Sequence, residues 1–280
     1  MQVLPTDLAI NDLQRELHTS VVGRVIRRYV RVGSTNDLVK EQARAGEAEG
    51  LVVLAEEQTA GRGRQGRGWA APPGTSLLMS LLLRPTWLPP TDAFTLTMLA
   101  GAALCEAIEQ TLPIYAALKW PNDLVLPAGP PGLIGSAPDL RKAAGILSEL
   151  ELEQERIAWA TIGMGINVNW EPSGLVDGRD LAQVATSVSA AAGRPVDRLA
   201  LLRALLARLD ARYVALRHGR REELFEAWRD RLAMLGQPVS VRLVRGDLQG
   251  IAEDVELSGA LRVRDERGIL HVILAGDVGV

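Results

Sequence analysis

The chain has 280 residues, 47% hydrophobic and 23% charged, with a formal net charge of -3. Those figures exclude a disordered polymer and a general binder of polyanions, and they allow one sizeable domain plus a small one. The single Cys105 excludes an intrachain disulfide and, in a helical-looking segment, reads as a small buried apolar side chain. No apolar run approaches the roughly 18 residues that span a bilayer, and Met1 to Asp7 is no basic-then-apolar leader, so a cytoplasmic protein without membrane contact is expected.

In chain order, Asp7 to Leu17 reads as a short helix, Val25 to Val32 as a strand, and Ser34-Thr-Asn-Asp as the polar start of a helix over Leu38 to Ala45. Strand-length apolar runs at Leu51 to Glu56 and Ser76 to Leu83 flank a glycine-rich segment, which suggests neighbouring strands with a long mobile connection. Ala93 to Thr111 is the clearest helix of the first half. Strands are expected at Ala117 to Trp120, Asp123 to Leu126, Ala143 to Glu151 and Ile157 to Val168, the last two as an antiparallel pair across Gln154-Glu-Arg. The Pro/Gly-rich stretch within Pro127 to Arg141 is a loop between two of them. Helices follow at Leu181 to Ala192, Leu199 to Leu216 and Glu222 to Leu235. After Gly236-Gln-Pro the pattern changes to short strands, Val239 to Val244, Gly250 to Leu257, Ala260 to Arg264 and Ile269 to Leu274. The expected fold class is therefore α+β: a mixed, largely antiparallel sheet with helices over residues 1–235, then a small β-barrel over residues 236–280.

The segment Gln58-Thr-Ala-Gly-Arg-Gly-Arg-Gln-Gly-Arg-Gly-Trp69 cannot build a core. Its glycines let backbone approach a ligand, and Arg62, Arg64 and Arg67 offer planar donors for carboxylate or phosphate. Although Gly61 to Gly66 spells G-x-G-x-x-G, the following Arg67-Gly-Trp-Ala-Ala-Pro-Pro-Gly74 leads into a strand, so the helix that would hold a dinucleotide is missing. No Walker A loop or Gly-x-Ser-x-Gly elbow is present, and His18, His218 and His271 lie too far apart for a metal cluster or a Ser-His-Asp triad. Among the 31 basic residues only Lys40, Lys119 and Lys142 are lysines. A compact ammonium suits a tight pocket that a guanidinium fork does not, which makes Lys119 and Lys142 candidates for the reacting centre.

Five motifs then stand together: Ser34-Thr-Asn36, Gln58 through Trp69, Lys119-Trp-Pro-Asn-Asp123, Lys142-Ala-Ala-Gly-Ile-Leu147 and Gly163-Met-Gly-Ile-Asn-Val168. In order and spacing they resemble the biotin protein ligases, from about Val25 to the end. The resemblance implies a class II synthetase-like catalytic domain followed by an SH3-like barrel. It also implies that biotin and Mg-ATP form biotinyl-5'-AMP, whose biotinyl group passes to a lysine of a biotin carboxyl carrier protein. On this resemblance the biotin site comprises Ser34, Thr35, Asn36, Gln58, Gly61, Arg62, Gly63, Arg64 and Lys142. The adenylate site comprises Arg62, Arg64, Arg67, Trp69, Asn122, Lys142 and Asn167. Arg64, Lys142 and Asp123 are the catalytic set, Asp123 positions Mg²⁺, and the glycine-rich loop is a lid over the adenylate. Ser34 remains open between helix cap and ligand contact, and Trp120 reads as core.

Only about thirty residues precede Ser34, so the resemblance is to the monofunctional form, with no DNA-binding domain and no nucleic-acid partner expected. A homodimer is compatible with the family. Two other readings stand beside the ligase. A lipoate or octanoate protein ligase is disfavoured by the two Ser34 and Gln58 motifs and the barrel tail. An Arg-Gly nucleic-acid-binding module is disfavoured because this is one short copy between strands of an acidic chain.

Overall fold

The computed structural model describes residue 8 and residues 10–129, 139–176, 178–243 and 246–279. Helix α1 (Ile10–Glu16) leads into β1 (Val25–Val32), α2 (Thr35–Arg44), β2 (Leu51–Gln58) and β3 (Ser76–Leu83). Helix α3 (Thr95–Thr111) precedes β4 (Ala117–Lys119), β5 (Asp123–Pro127), β6 (Leu140–Glu153) and β7 (Arg156–Asn167). A small ribbon, β8 (Leu175–Val176) with β9 (Arg179–Asp180), runs into α4 (Leu181–Val184), α5 (Val188–Ala192), α6 (Arg198–Arg217) and α7 (Arg221–Arg229). The chain ends with β10 (Pro238–Leu243), β11 (Gly246–Val255), β12 (Leu261–Arg264), β13 (Leu270–Ile273) and β14 (Asp277–Gly279).

The first seven strands form one sheet in the order β1-β2-β3-β7-β6-β5-β4. Only β1 and β2 run parallel, so the sheet is mixed and largely antiparallel as expected. Alternation along the strands assigns two faces. Val52, Leu54, Met79, Leu81, Ile162, Met164 and Ile146 join the main core under α3 and α6. Leu51, Val53 and Leu82 face the other way and pack with Val39 and Ala43 of α2. On that second face, α2 covers the β2, β3 and β7 side, while the positions further along β6 and β7 are Gly145, Gly163 and Gly165. These glycines put no side chains of their own on that stretch of sheet, and a cleft lies over them.

On the core face, Arg198 of α6 is 2% exposed and donates to Glu56 Oε2 (2.9 Å) and the Ser76 carbonyl (3.0 Å), pinning α6 to β2 and β3. A buried charge tolerates this only because it is paired and hydrogen-bonded. Cys105 is buried in α3, and burial pushes its thiol up to about 12, in keeping with an apolar role.

The structure corrects several expectations. The stretch Pro90–Thr111, of mean hydropathy 1.3, is long and apolar enough to cross a membrane, contrary to the expectation that no run would be. Here it is the central core helix, packed on α6 on one side and on the sheet on the other. The helix expected over Leu181 to Ala192 is two short helices, because Ala185 and Ser187 are extended and Ser187 caps α5 by accepting from the Ala190 amide. Helix α7 stops at Arg229, and Leu118 then exchanges backbone hydrogen bonds with Arg231 and Ala233. Within Pro127 to Arg141, residues 130–138 lie outside the described residues, as do Asp7 and Val244 at the ends of two expected elements.

The C-terminal module is a five-stranded antiparallel sheet, β13-β12-β11-β10-β14. It is fastened to the larger sheet by Trp120, 2% exposed, whose indole N–H donates to the Gly259 carbonyl (2.8 Å). Gly259 has φ +88, and a Cβ there would sit 2.0 Å from Phe94, so both backbone and packing require glycine. Arg229 adds an ion pair to Asp254 (2.6 Å).

Candidate functional site

A cleft of about 500 Å³ opens on the second face of the sheet, within the usual range for small-molecule sites. Its floor is glycine by necessity. A Cβ on Gly165 would lie 2.4 Å from Trp69 Cε2, one on Gly145 3.1 Å from Trp69 Cζ3, and one on Gly163 2.3 Å from Asn36 Oδ1. Period-two glycines on β7 and their neighbour on β6 thus make room for the Trp69 indole and the Asn36 amide.

One end of the cleft is uncharged. Ser34 stands at the N-cap position of α2 but its side chain makes no capping hydrogen bond, and it lines the cleft. Gln58 Oε1 accepts from both the amide (2.7 Å) and the hydroxyl (3.0 Å) of Thr35. Ser80, fully buried, contacts Thr35 Oγ1 (2.7 Å) and donates to Asn36 Oδ1 (2.5 Å), while Asn36 Nδ2 donates to Glu149 Oε2 (2.7 Å). Lys40 donates to the other oxygen of Glu149 (2.6 Å).

The other end carries charge. Lys142 on β6 pairs with Asp123 at 2.7 Å, and its ammonium stands 5.5 Å from the Trp69 ring centre, a cation–π geometry. Arg64, three-quarters buried, donates to Asn122 Oδ1 (3.2 Å) and lies 4.0 Å from Asp277 of β14. Burial depresses the Arg64 guanidinium, and Asp277 and Asp123 oppose that shift. Arg67 binds both oxygens of Asp277 at 2.6 Å, so the C-terminal sheet holds the loop.

The glycine-rich loop is a closed hairpin. Gln65 and Gly66 are both left-handed (φ 57 and 74) and reverse the chain, and Trp69 N–H returns to the Gly61 carbonyl (2.9 Å). Gly61 is buried, where a Cβ would meet the Trp69 carbonyl at 2.4 Å, while Gly63 lines the cleft. Arg62 points outward to a bidentate pair with Asp37 (2.7 and 2.5 Å). That hydrogen bond holds the Asp37 carboxyl below its usual value and raises Arg62.

The candidates named from the sequence therefore do not carry equal weight, and the structure redistributes them. Ser34, Thr35, Asn36, Gln58, Arg64, Trp69, Lys142 and Asn167 converge on the cleft. Asn167 donates to the Thr186 carbonyl (3.1 Å), leaving its buried Oδ1 with no partner, as is the buried Trp69 indole N–H. Asn122, expected to read a base edge, is engaged at both ends, by Arg64 and by the Ile146 carbonyl (2.7 Å), and so positions Arg64. Arg62 sits at the rim against Asp37, and Asp123, expected at a metal, is bound to Lys142. Lys119 lines the cleft beside the buried Trp120. Sequence reasoning missed Ser80, Glu149, Lys40 and Asp277. The glycine alternation on β7 was a signal for the floor, but nothing local marks Asp277, which reaches the loop from 210 residues away.

A seven-stranded mixed sheet with an open glycine floor, a neutral hydroxyl and amide end and a cationic end defines the biotin and lipoate protein ligase class. Residues 29–167 match the model of the biotin/lipoate A/B protein ligase family, and residues 234–279 match that of the biotin protein ligase C terminal domain. The chain is 32% identical over 272 residues to the bifunctional ligase/repressor of Bacillus subtilis, covering 97% of this chain and 79% of that protein. It is 32% identical over 275 residues to the biotin--[acetyl-CoA-carboxylase] ligase of Mycobacterium tuberculosis, covering 95% and 94%. The biotin protein ligase from Aquifex aeolicus in complex with biotin and ATP superposes with a TM-score of 0.72 at 25% identity, covering 91% and 98% of the two chains. The chain belongs to the biotin protein ligase family.

Proposed function

We infer that this protein is an ATP-dependent biotin protein ligase, converting biotin and ATP to biotinyl-5'-AMP and passing the biotinyl group to a lysine of a biotin carboxyl carrier domain. The observation that carries the reading is that one cleft joins an uncharged end, Ser34, Thr35 and Gln58, to a cationic end, Lys142 and Arg64, over a glycine floor that seats Trp69. A neutral bicyclic ring system needs uncharged donors and acceptors, which Ser34, Thr35 and Gln58 supply. A carboxylate meeting a triphosphate needs cations, which Lys142 and Arg64 supply.

In the first step a biotin carboxylate oxygen bonds to the α-phosphorus as the bond to pyrophosphate breaks. Lys142 and Arg64 hold the charge that gathers on the phosphoryl oxygens, and the anion takes the place that Asp123 and Asp277 now have beside them. In the second step the carrier amine attacks the mixed anhydride carbonyl and AMP leaves. Trp69 offers its indole face to the adenine, and the unpartnered Asn167 Oδ1 is the acceptor for the base's amino group. Magnesium bound to ATP would neutralise charge on the phosphates, and Asp123 is the cleft carboxylate that would help hold it.

The loop hairpin serves as a lid that shields the anhydride from water, tied to β14 through Arg67 and Asp277. The β8 to α4 segment, with Val176, Leu181 and Val184 on the cleft, adds apolar cover. A cytoplasmic location and independence of nucleic acid remain part of the proposal. Incubating the protein with Mg-ATP and an apo carrier domain tests it: biotin is expected to label the carrier, detected by streptavidin, and lipoate or octanoate to leave it unmodified. Labelling by octanoate and not by biotin would overturn the reading in favour of the lipoate branch.

A further inference from the structure

The hydrogen bonds at the neutral end form one unbroken chain, and counting their protons fixes its polarity. Gln58 Oε1 faces the Thr35 backbone N–H at 2.7 Å, so this amide turns its oxygen inward and its NH₂ toward the cleft. Asn36 is fixed in the same way. Its Nδ2 faces the Glu149 carboxylate (2.7 Å) and, more distantly, the Leu147 carbonyl (3.4 Å), both acceptors, so Oδ1 must face Ser80. At 2.5 Å from that carbonyl oxygen, the single Ser80 hydroxyl proton goes to Asn36. Ser80 then has only lone pairs for Thr35, and the Thr35 proton is held internally by Ser80 (2.7 Å) or by Gln58 (3.0 Å). Toward the cleft, Thr35 Oγ1 offers an acceptor and Gln58 Nε2 offers donors.

We propose that the Lys40–Glu149 ion pair, acting through Asn36 and Ser80, keeps the Thr35 hydroxyl proton inside and Thr35 Oγ1 an acceptor toward the cleft, beside the Gln58 donors that the Thr35 backbone amide fixes, so that the cleft matches the edge of a cyclic urea, where an N–H lies beside a C=O. Both carboxylate oxygens are engaged, one by the Lys40 ammonium (2.6 Å) and one by the Asn36 amide, so Glu149 cannot reverse the chain. Gly163 is part of the device, because any Cβ there would strike Asn36 Oδ1 at 2.3 Å. Glu149, Lys40 and Ser80 are positioning residues, since they reach the ligand through Thr35. A site whose polar groups are all pre-aimed rejects a ligand of the wrong polarity, because the mismatched group is left unpaired when buried.

The inference rests on the biotin reading. Its test compares biotin with its cyclic carbamate analogue, in which a ring oxygen replaces the ureido N–H, in wild type, Lys40→Met, Glu149→Gln and the double variant. The readouts are KM for each biotin analogue, KM for ATP, kcat and the thermal midpoint. A glutamine at 149 has one acceptor for two donors, and the Lys40 ammonium claims it, so Asn36 loses its fixed orientation. Glu149→Gln is expected to raise the biotin KM about tenfold, with ATP KM and kcat within about twofold and the preference over the carbamate analogue reduced about tenfold. Removing Lys40 frees the glutamine oxygen for Asn36, so Lys40→Met/Glu149→Gln is expected to recover the biotin KM and the preference to within about threefold of wild type. Equal losses for both analogues, or no recovery in the double variant while the thermal midpoint is unchanged, would overturn the inference. A wild-type protein with no biotin-dependent activity would instead remove the reading beneath it.

Discussion

The two ends of the cleft solve recognition differently. At the neutral end Gln58, Thr35, Ser80 and Asn36 are already hydrogen-bonded to one another in sequence, and the pattern is fixed before a ligand arrives. At the charged end the cations are held by carboxylates, Lys142 by Asp123 and Arg67 by Asp277, and an incoming anion must take those places. One end therefore selects by the order of donors and acceptors, and the other by exchange of ion pairs. Preorganised dipoles cost no rearrangement when the ligand arrives, whereas each displaced pair sets the exchange against the affinity of the anion.

The comparison is broken most severely at Lys142. Lys142→Arg is expected to lower adenylate formation by about 10²–10³, the usual effect of losing one donor to a developing oxyanion, with the thermal midpoint unchanged. A guanidinium does not replace the ammonium where Trp69 and Gly145 crowd it. Single-turnover formation of adenylate measures it. Next come two glycines two residues apart that separate the ends. Gly165→Ala displaces Trp69 and is expected to raise the ATP KM about tenfold, while Gly163→Ala displaces Asn36 and is expected to raise the biotin KM by a similar factor. Steady-state kinetics with each substrate varied should show the two effects uncrossed.

Asp277→Asn keeps the shape of the tie to Arg67 but removes its charge. It is expected to change the ATP KM by about threefold, the direction reporting whether loop docking or anion exchange dominates. Asp37→Asn should matter least, with activity within about twofold of wild type, because the Arg62–Asp37 pair lies at the solvent-exposed rim. The Asp37 carboxyl is held below its usual value, so the pair is intact at neutral pH and is lost only as pH falls through that lowered value. The small difference between Asp37→Asn and wild type should therefore persist across neutral pH and shrink in added salt.

Much of the fold was legible because strand alternation and glycine punctuation are local signals. The runs Val25–Val32 and Ser76–Leu83 were read to the residue, and the glycine-rich loop lies between adjacent antiparallel strands. The single helix expected over Leu181 to Ala192 failed because Ser187 caps a new helix where apolar periodicity alone runs on. Helix α3 shows the same limit from another side: its hydropathy would suit a membrane, and only its packing against α6 and the sheet tells its place. In the site, motif residues such as Trp69 and Lys142 were legible individually. Their dependence on Gly165, Ser80, Glu149 and Asp277 was not, because those contacts join strands and modules far apart in the chain.

The most direct measurement is exchange of labelled pyrophosphate into ATP with biotin, lipoate or no acid added, on the wild-type protein and on Lys142→Arg. Exchange is expected to require biotin, to be absent with lipoate, and to fall about 10²–10³ in the variant. Exchange supported by lipoate and not biotin, or undiminished in Lys142→Arg, would contradict that expectation.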